Sequence, residues 1–292
     1  MIRVCLIGLG KTGKEIAKYL LQQEDIKLVS VICSSNSEKK GKDLGELLDC
    51  GETGILVDGA DNLEQVIFKT KPEVVVDFSN PGATVRNAKV FAKMKVNMVI
   101  GTTGFSKIGL RKLFVLTRKY HNAIVYAPNI TLGVNVLMLI SNLAANILND
   151  YDFQITEMHH KNKKDAPSGT ALKIAKEIEK GIAAACQDRK EVNVPINAVR
   201  AGGVVGKHEV MIIGEDDKIE ISHESFSRKA FAVGVGRVIH FILGRSGYFE
   251  MSDVLNLKKV LGDYLDKENA VLGKRYVSCY RKELKESQEE LA

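Results

Sequence analysis

The feature that most constrains the fold is a glycine-rich loop between an apolar run and an amphipathic segment near the start of the chain. Residues 2–7, IRVCLI, are apolar enough for a buried strand, and Gly8, Gly10 and Gly13 follow with G-x-G-x-x-G spacing. The next apolar side chains recur at helical intervals, at Ile16, Ala17, Leu20 and Leu21. A strand, a glycine turn and a helix in this order are typical of a domain that binds a dinucleotide. The first glycine allows a tight turn, the second lets the backbone approach a pyrophosphate, and the third lets helix and strand pack closely.

A regular alternation of strand-like and helix-like segments continues to about residue 129. The β-rich runs are 26–33, 73–79, 97–104 and 122–129, and the helical patterns between them are 61–70, 82–94 and 106–119. This alternation predicts an α/β domain, 1–129, with a Rossmann-type parallel sheet and right-handed crossovers. Ligands of such sheets bind at the carboxyl ends of the strands. Small and polar residues are found at those predicted ends: Ser79, Asn80 and Pro81, then Gly101, Thr102 and Thr103, then Ala127, Pro128, Asn129 and Ile130. The alternative is that the glycine loop is only a close-packed turn in an α/β protein.

The end of the second predicted strand bears on which nicotinamide cofactor such a domain would take. A site that prefers NAD usually has an acidic residue there, which binds the 2′-hydroxyl of the ribose. Here the strand ends at Cys33 and continues as Ser34, Ser35 and Asn36, and the first acid, Glu38, precedes Lys39 and Lys40. Hydroxyls and ammonium groups attract a 2′-phosphate, so we expect NADPH to be preferred over NADH. The alternative is that Lys39 and Lys40 are solvated loop charges.

The pattern changes after residue 129 and predicts an α+β domain with a mixed sheet, 130–227. A helical segment, 132–148, leads to a strand at 151–160. The segment that follows, DAPSGT, predicts a turn and then a helix with Ser168 as its N-cap. Three later segments, 196–200, 206–214 and 218–226, alternate like strands. From Arg228 to about Leu243 the chain is again helical in pattern, and we treat 228–292 as a third, C-terminal helical segment.

One stretch of the second half, EMHHKNKKDAPSGTA (157–171), concentrates groups that can do proton chemistry and bind anions. Histidine can donate or accept a proton near neutral pH, and a neighbouring lysine can hold an anionic group or donate a proton. Free N–H groups of Gly169 and Thr170 at a helix start would suit a carboxylate. A hydrogen-bonded structural pair is the alternative for His159 and His160, but the lysines nearby favour a site. Neighbouring residues on a strand point to opposite faces, so this pair does not predict a metal site.

Composition narrows the possible ligands. The formal net charge is +6, and the lysines and arginines are spread along the chain rather than clustered with aromatic residues. We therefore expect small anionic ligands and no nucleic acid. The five cysteines form no metal-binding spacing, and no apolar run is long enough to cross a membrane. The first residues do not have the pattern of an export signal, which predicts a cytoplasmic protein.

The stretch 157–171 resembles the signature of the 4-hydroxy-tetrahydrodipicolinate reductase family, also called dihydrodipicolinate reductase. That signature reads E-x-H-H-x-x-K-x-D-A-P-S-G-T-A, and this chain matches it from Glu157 to Ala171. Similar segments cover most of the chain: DFSNPGAT (77–84), GTTGFS (101–106), APNITLGVNVL (127–137), VRAGGVVGKHEV (199–210), IEISHESFSRKAFAVG (219–234) and GYFEMSDVL (247–255).

The resemblance implies roles for individual residues. His159 would be the catalytic proton donor or acceptor, and Lys163 a second proton donor that also contacts the substrate. His160, Gly169 and Thr170 would complete the site for a small dicarboxylate. The cofactor would be held by the loop Gly8, Leu9, Gly10, Lys11, Thr12 and Gly13, by Gly101 to Thr103, and by Ala127 to Ile130. The family also implies reduction of a ring imine in lysine synthesis, and a homotetramer built through the sheet of the second domain. It implies that the C-terminal helix returns to the nucleotide half.

Two departures from the family pattern concern the cofactor. The glycine loop is one residue shorter than the usual G-x-x-G-x-M-G, with Lys11 roughly where the family has an arginine, and the acid after the second strand is missing. Two other functions have to be considered beside the reductase: a related NAD(P)-dependent dehydrogenase for another amino acid or cyclic imine, and a non-catalytic nucleotide sensor. The intact constellation from His159 to Thr170 argues against both. The charged tail, 274–292, is extra to the family and is expected to be a solvated helix or a frayed end.

Overall fold

A computed structural model describes residues 1–186, 193–256, 259–260 and 262–263. The strands are β1 Ile2–Ile7, β2 Ile26–Cys33, β3 Val57–Gly59, β4 Val74–Asp77, β5 Asn97–Ile100, β6 Ala123–Tyr126, β7 Asp152–His159, β8 Ile196–Arg200, β9 Gly206–Ile213, β10 Lys218–Ser225 and β11 Gly247–Glu250. The α-helices are α1 Lys11–Leu21, α2 Leu44–Leu48, α3 Leu63–Thr70, α4 Pro81–Lys93, α5 Lys107–Tyr120, α6 Leu132–Ile147, α7 Gly169–Ala185, α8 Lys229–Ile242 and α9 Met251–Val254, and a short 3₁₀ helix spans Ala60–Asn62. The charged tail at 274–292 lies outside the described residues.

The first sheet has seven strands in the order β11-β6-β5-β4-β1-β2-β3, and all its neighbouring strands are parallel. Its central strands are almost continuously apolar because both faces are covered, and Val74, Val75 and Val76 are fully buried. The order reverses between β1 and β4, which places a crevice at the carboxyl ends of these two strands. The predicted α/β, Rossmann-type domain is confirmed.

The second sheet has four strands in the order β10-β9-β7-β8. Strand β7 pairs with β9 in antiparallel and with β8 in parallel register, so the sheet is mixed as predicted. Side chains from one face of β7, including Phe153 and Ile155, pack with the apolar stripes of α6 and α7 in a single core cluster. Ser168 caps α7 by accepting a hydrogen bond from the N–H of Ala171, which confirms the predicted helix start.

Residues Met1–Met251 form one compact unit that contains both sheets. Within this unit α8 packs against α1, at a place where Gly236 lets the ring of Tyr19 approach. A Cβ at Gly236 would lie 2.5 Å from the Tyr19 hydroxyl oxygen. The predicted helix after Arg228 is therefore present, and it packs against α1.

The observed elements differ from the sequence prediction mainly at strand ends. Strands β4, β5 and β6 end at Asp77, Ile100 and Tyr126, several residues before the predicted ends, because the chain leaves the sheet there to form loops. Strands β3 and β11 were not predicted. Each has only three or four residues and lies at an edge of the sheet, so it carries almost no periodic signal.

No helix in the described ranges is long and apolar enough to cross a membrane. The cytoplasmic location stays a prediction. Among the same residues no group of histidine, cysteine and acidic side chains could hold a metal ion.

Candidate active site

The glycine loop after β1 has the geometry of a phosphate cradle. Gly8 has φ of +93°, and a Cβ there would lie 2.5 Å from the carbonyl oxygen of Phe78. A Cβ on Gly13 would lie 1.9 Å from the carbonyl oxygen of Gly8, so only glycine lets α1 pack this closely on the loop. A Cβ on Gly10, in contrast, would meet nothing within 4 Å. Gly8 and Gly13 thus allow the tight turn and the close packing, and the open space is at Gly10, the glycine at which the sequence predicts that a pyrophosphate approaches.

The start of α1 is open to an anion. The helix begins at Lys11 after Gly10, with no side-chain cap and no acidic residue in its first turn, so the N–H groups of its first turn are available. Lys11 is exposed and Thr12 is half-buried, whereas Leu9 is buried under the loop. Lys39, in the loop after β2, contacts the glycine loop. Its Nζ donates a 2.5 Å hydrogen bond to the carbonyl oxygen of Leu9.

The remaining predicted cofactor residues lie at the carboxyl ends of the sheet. Ser34 and Ser35 follow β2 and are exposed. Gly101 follows β5, and a Cβ there would lie 2.1 Å from the ring of Phe78. The next residue, Thr102, is buried and donates from its hydroxyl to the carbonyl oxygen of Asp77, while Thr103 is exposed.

The loop after β6 is held rigidly. The side-chain amide of Asn135, on α6, donates to the carbonyl oxygens of Asn129 and Thr131 at 2.7 Å and 2.8 Å. Ala127, Asn129 and Ile130 are buried, and Pro128 is half-buried.

A fully buried carboxylate, Glu157, organises the end of β7. Its Oε1 accepts hydrogen bonds from the backbone N–H of Ser168 at 3.0 Å and from Arg200 at 2.6 Å, and its Oε2 accepts from Arg200 at 2.9 Å. The Nδ1 of His159 lies 2.5 Å from the same Oε2. Because a carboxylate accepts this bond, His159 carries its proton on Nδ1 when neutral, which leaves Nε2 to exchange a proton.

The ionisation of this cluster follows from its burial and its charges. Burial alone would raise the pKa of Glu157, but hydrogen bonds from Arg200, His159 and the Ser168 N–H lower it below its usual value. Burial lowers the pKa of His159, with the positive charges of Lys163 and Arg200 adding to the effect, while the hydrogen bond to Glu157 opposes it. In the free protein His159 is therefore neutral at pH 7. A bound dianion would reverse the local field and favour its protonation.

A second buried histidine, His208, packs against His159. The ring of His208, on β9, lies edge-on to His159 with 5.2 Å between centroids. Its Nε2 is 3.3 Å from the hydroxyl of Ser168, which also caps α7. Burial and the proximity of His159 lower the pKa of His208 to about 3, so it stays neutral. The hydroxyl of Ser168 thus ties the histidine pair to the start of α7.

Lys163 and His160 lie in the loop that joins β7 to α7. The Nζ of Lys163 is 2.8 Å from Oδ1 of Asp165, and its backbone N–H donates to the carbonyl oxygen of His160. Burial opposes ionisation of Asp165, but the hydrogen bond and charge of Lys163 lower its pKa. His160 follows the strand and is half-buried, whereas His159 is buried, so the two rings are in different environments.

The start of α7 connects the two halves of the site. Gly169 and Thr170 are its first residues, and neither backbone N–H has a hydrogen-bond acceptor among the described residues. The side-chain hydroxyl of Thr170 donates to Oδ1 of Asn129 at 2.8 Å. This bond places the end of β6, where the predicted cofactor loop lies, beside the start of α7, where a carboxylate site is predicted.

Sequence reasoning missed Glu157, Arg200 and His208 as parts of the site. Glu157 could have been found, because residues two apart on a strand share a face and Glu157 therefore lies on the same side as His159. Arg200 is 43 residues away from Glu157 and carries no comparable local signal. The strand pairing brings it into place, since His159 on β7 lies opposite Arg200 on β8.

This fold and site define a Rossmann-type, nicotinamide-dependent oxidoreductase with a separate mixed-sheet domain. Comparison with known families agrees. Residues 2–130 match the model of the dihydrodipicolinate reductase N-terminus, and residues 133–255 match that of its C-terminus. The chain belongs to the dihydrodipicolinate reductase family, and the resemblance seen in the sequence is confirmed.

Individual relatives are similar over nearly their whole length. The 4-hydroxy-tetrahydrodipicolinate reductase of Methanocaldococcus jannaschii is 40% identical over 272 residues, which cover 89% of this chain and 99% of that protein. The enzyme of the same name from Methanococcus aeolicus is 38% identical over 273 residues, with 89% and 100% covered. Among solved structures, dipicolinate-bound dihydrodipicolinate reductase from Paenisporosarcina sp. TG-14 is 29% identical, with a TM-score of 0.70 over 86% of this chain and 97% of that chain.

Proposed function

We propose that the protein reduces 4-hydroxy-tetrahydrodipicolinate to tetrahydrodipicolinate in the diaminopimelate route of lysine synthesis. The observation that carries this proposal is the Thr170–Asn129 hydrogen bond, because it sets the histidine and lysine stretch against the predicted cofactor loop. A related dehydrogenase would share the fold, but the cluster of Glu157, His159 and Lys163 favours the reductase. A non-catalytic nucleotide sensor would not need this cluster of proton-exchanging groups.

Each group in the site has a part in this reaction. A reduced nicotinamide supplies the hydride when it is bound by the loops of residues 8–13, 101–103 and 127–130. Overall, the hydride takes the place of the 4-hydroxyl of the substrate, and that hydroxyl leaves with one proton as water. His159 exchanges a proton through Nε2 and Lys163 is the second donor. The N–H groups of Gly169 and Thr170, with His160 and Lys163, bind the two carboxylates.

We propose NADPH as the preferred cofactor. The loop after β2 presents the hydroxyls of Ser34 and Ser35 where an NAD-specific site has an acid, and an acid would repel a 2′-phosphate. We include Lys39 in the proposed cofactor site because its Nζ bonds to the carbonyl oxygen of Leu9 in the glycine loop.

The test is cofactor oxidation by the purified protein, with the substrate made in situ from pyruvate and aspartate semialdehyde by its synthase. NADPH and NADH are supplied in parallel, and we expect faster oxidation of NADPH. Binding of both cofactors without substrate-dependent oxidation would contradict the reductase assignment and direct attention to other imines.

His159→Gln and Lys163→Ala should each lower kcat by about two or more powers of ten, because each removes a proton donor or acceptor. Cofactor affinity should change little. A matched control is Lys176→Ala, an exposed lysine on α7, which should leave kcat unchanged. Loss of cofactor binding in the first two variants would place them in a different site.

We also propose a homotetramer that assembles through the second sheet. Helices α6 and α7 pack on one face of this sheet, and the residues of the opposite face are partly or fully exposed in the chain: Gln154, Thr156, Met158, Lys207, Glu209, Met211 and Ile213. Light scattering tests the proposal. Met211→Glu should split the assembly, whereas Phe68→Glu, at an apolar position on α3 that is 73% exposed, should not.

A further inference from the structure

A cavity of about 290 Å³ lies beyond the glycine loop, at the end of β2. Most of its walls come from three places that meet at the carboxyl edge of the sheet, and Ala60 adds a fourth. The three are Ile7 and Gly8, the segment Ser34 to Asn36, and the start of α4 with Ala83, Arg86 and Asn87. In a Rossmann-type domain this position, next to the end of the second strand, is where the adenosine ribose lies.

The two lysines that the sequence suggests for a 2′-phosphate are already engaged. The Nζ of Lys40 forms a 2.7 Å ion pair with Asp61. The Nζ of Lys39 bonds to the carbonyl oxygen of Leu9, beneath the glycine loop. Neither lysine lines the cavity.

Arg86 is differently placed. It is exposed, it lines the cavity, and within the described ranges its guanidinium has no hydrogen bond or ion pair with the protein. No acidic residue lines the cavity. Asp61, which neighbours the cavity residue Ala60 in the chain, has its charge offset by Lys40, and Lys40 together with the hydroxyl of Ser35 lowers the pKa of this carboxyl. An unpaired guanidinium that lines a cavity without acidic residues suits a phosphate, since its planar fork can donate two parallel hydrogen bonds.

We propose that Arg86 binds the 2′-phosphate of the cofactor's adenosine and sets the preference for NADPH, with the hydroxyl of Ser34 as a further donor. This inference rests on the proposed function, in that it assumes the dinucleotide binds along the glycine loop. Arg86 is then a specificity residue, while Lys39 supports the shape of the loop for either cofactor.

The test is calorimetric binding of 2′,5′-ADP and 5′-ADP, two fragments that separate the 2′-phosphate from the rest of the nucleotide. Arg86→Gln should weaken 2′,5′-ADP about tenfold to a hundredfold, the range for loss of a charge-assisted hydrogen bond, and leave 5′-ADP within about twofold. Arg86→Lys should restore part of the affinity, because it keeps the charge but not the fork. Arg111→Gln, on α5 and outside the cavity, is the control and should change neither affinity.

Other results would overturn the inference. Equal weakening of both fragments would mean that Arg86 stacks on the adenine or supports the fold, and unchanged binding of 2′,5′-ADP would remove it from the site. Lys39→Gln should weaken both fragments alike, and selective loss of 2′,5′-ADP in that variant would transfer the role to Lys39. Failure of the wild-type protein to bind either fragment would instead refute the cofactor site itself. Fragment binding with no substrate-dependent oxidation of NADPH would refute only the reductase assignment.

Discussion

Glu157 holds the ring of His159 through a 2.5 Å contact between Oε2 and Nδ1, inside a sheet whose other face is open. Both oxygens of Glu157 are also bonded to Arg200, so the carboxylate is fixed before any substrate arrives. The relationship makes Glu157 a positioning residue: it sets which nitrogen of His159 is free, and it supports a positive charge on the ring.

The first prediction concerns the pH dependence of Glu157→Gln. A proton donor must be protonated, so the rate falls as pH rises through the pKa of His159 in the enzyme–substrate complex. Removing the negative charge of Glu157 disfavours the protonated ring, so this pKa falls. The descending limb of the kcat profile should therefore move to lower pH, by about 1 to 3 units. Initial rates across the pH range measure it.

Glu177→Gln is the control, because Glu177 pairs with Lys180 on the surface of α7 and should leave the profile in place. A lower kcat with an unshifted limb in Glu157→Gln would show that Glu157 only stabilises the fold.

The second prediction is that Glu157 and Arg200 are coupled in stability. Arg200→Gln leaves the buried carboxylate without its cation, and Glu157→Gln leaves the guanidinium without its anion. Each single change should cost about 3 to 5 kcal/mol in free energy of unfolding. The double variant should lose less than the sum of the two, because no uncompensated charge remains. Urea unfolding of all four proteins measures the coupling, and strict additivity would contradict the buried ion pair.

Much of the fold could be predicted because its signals are local. The glycine spacing, the apolar runs and the helical periods each lie within one segment, and they indicate most of the elements up to α8, though not the short helix α2. Strands β3 and β11 are not predicted, because an edge strand of three or four residues has too few positions to show a period. The ends of β4 to β6 differ from the prediction because apolar and small residues continue past the last ladder position into the loops that follow.

The site was predicted only where its residues are close in the chain. His159, Lys163, Gly169 and Thr170 share one stretch, so their composition alone suggested anion and proton chemistry. Arg200 could not be found in this way, because its bond to Glu157 depends on the register between β7 and β8. The sequence also does not show that Arg86 is free to bind a phosphate while Lys39 and Lys40 are not. That difference depends on which cations are already bonded to other groups of the protein.

The third prediction tests the bond between the two halves of the site. Thr170→Val keeps the shape of the side chain but removes the hydroxyl that donates to Oδ1 of buried Asn129. An unsatisfied buried acceptor costs about 1 to 3 kcal/mol, so the free energy of unfolding should fall by roughly that amount. We also expect kcat to fall, because the cofactor loop loses its link to the anion-binding end of α7. Thr170→Ser keeps the hydroxyl and should behave like wild type in both measurements. An unchanged kcat in Thr170→Val would mean that the bond is structural only.

The fourth prediction is that alanine at Gly13 and alanine at Gly10 have different effects, because a Cβ at the two positions meets different surroundings. Gly13→Ala would put a Cβ 1.9 Å from the carbonyl oxygen of Gly8, so the variant should be destabilised even though alanine favours a helix. Gly10→Ala meets no protein atom within 4 Å, and the residue has φ of −79°, which alanine adopts freely. Its thermal unfolding should match wild type, yet affinity for either nicotinamide cofactor should fall, because the new methyl group occupies the space that a pyrophosphate needs. Full cofactor affinity in a stable Gly10→Ala protein would show that the phosphates do not approach Gly10, and the shorter loop of this chain would then bind them through other N–H groups.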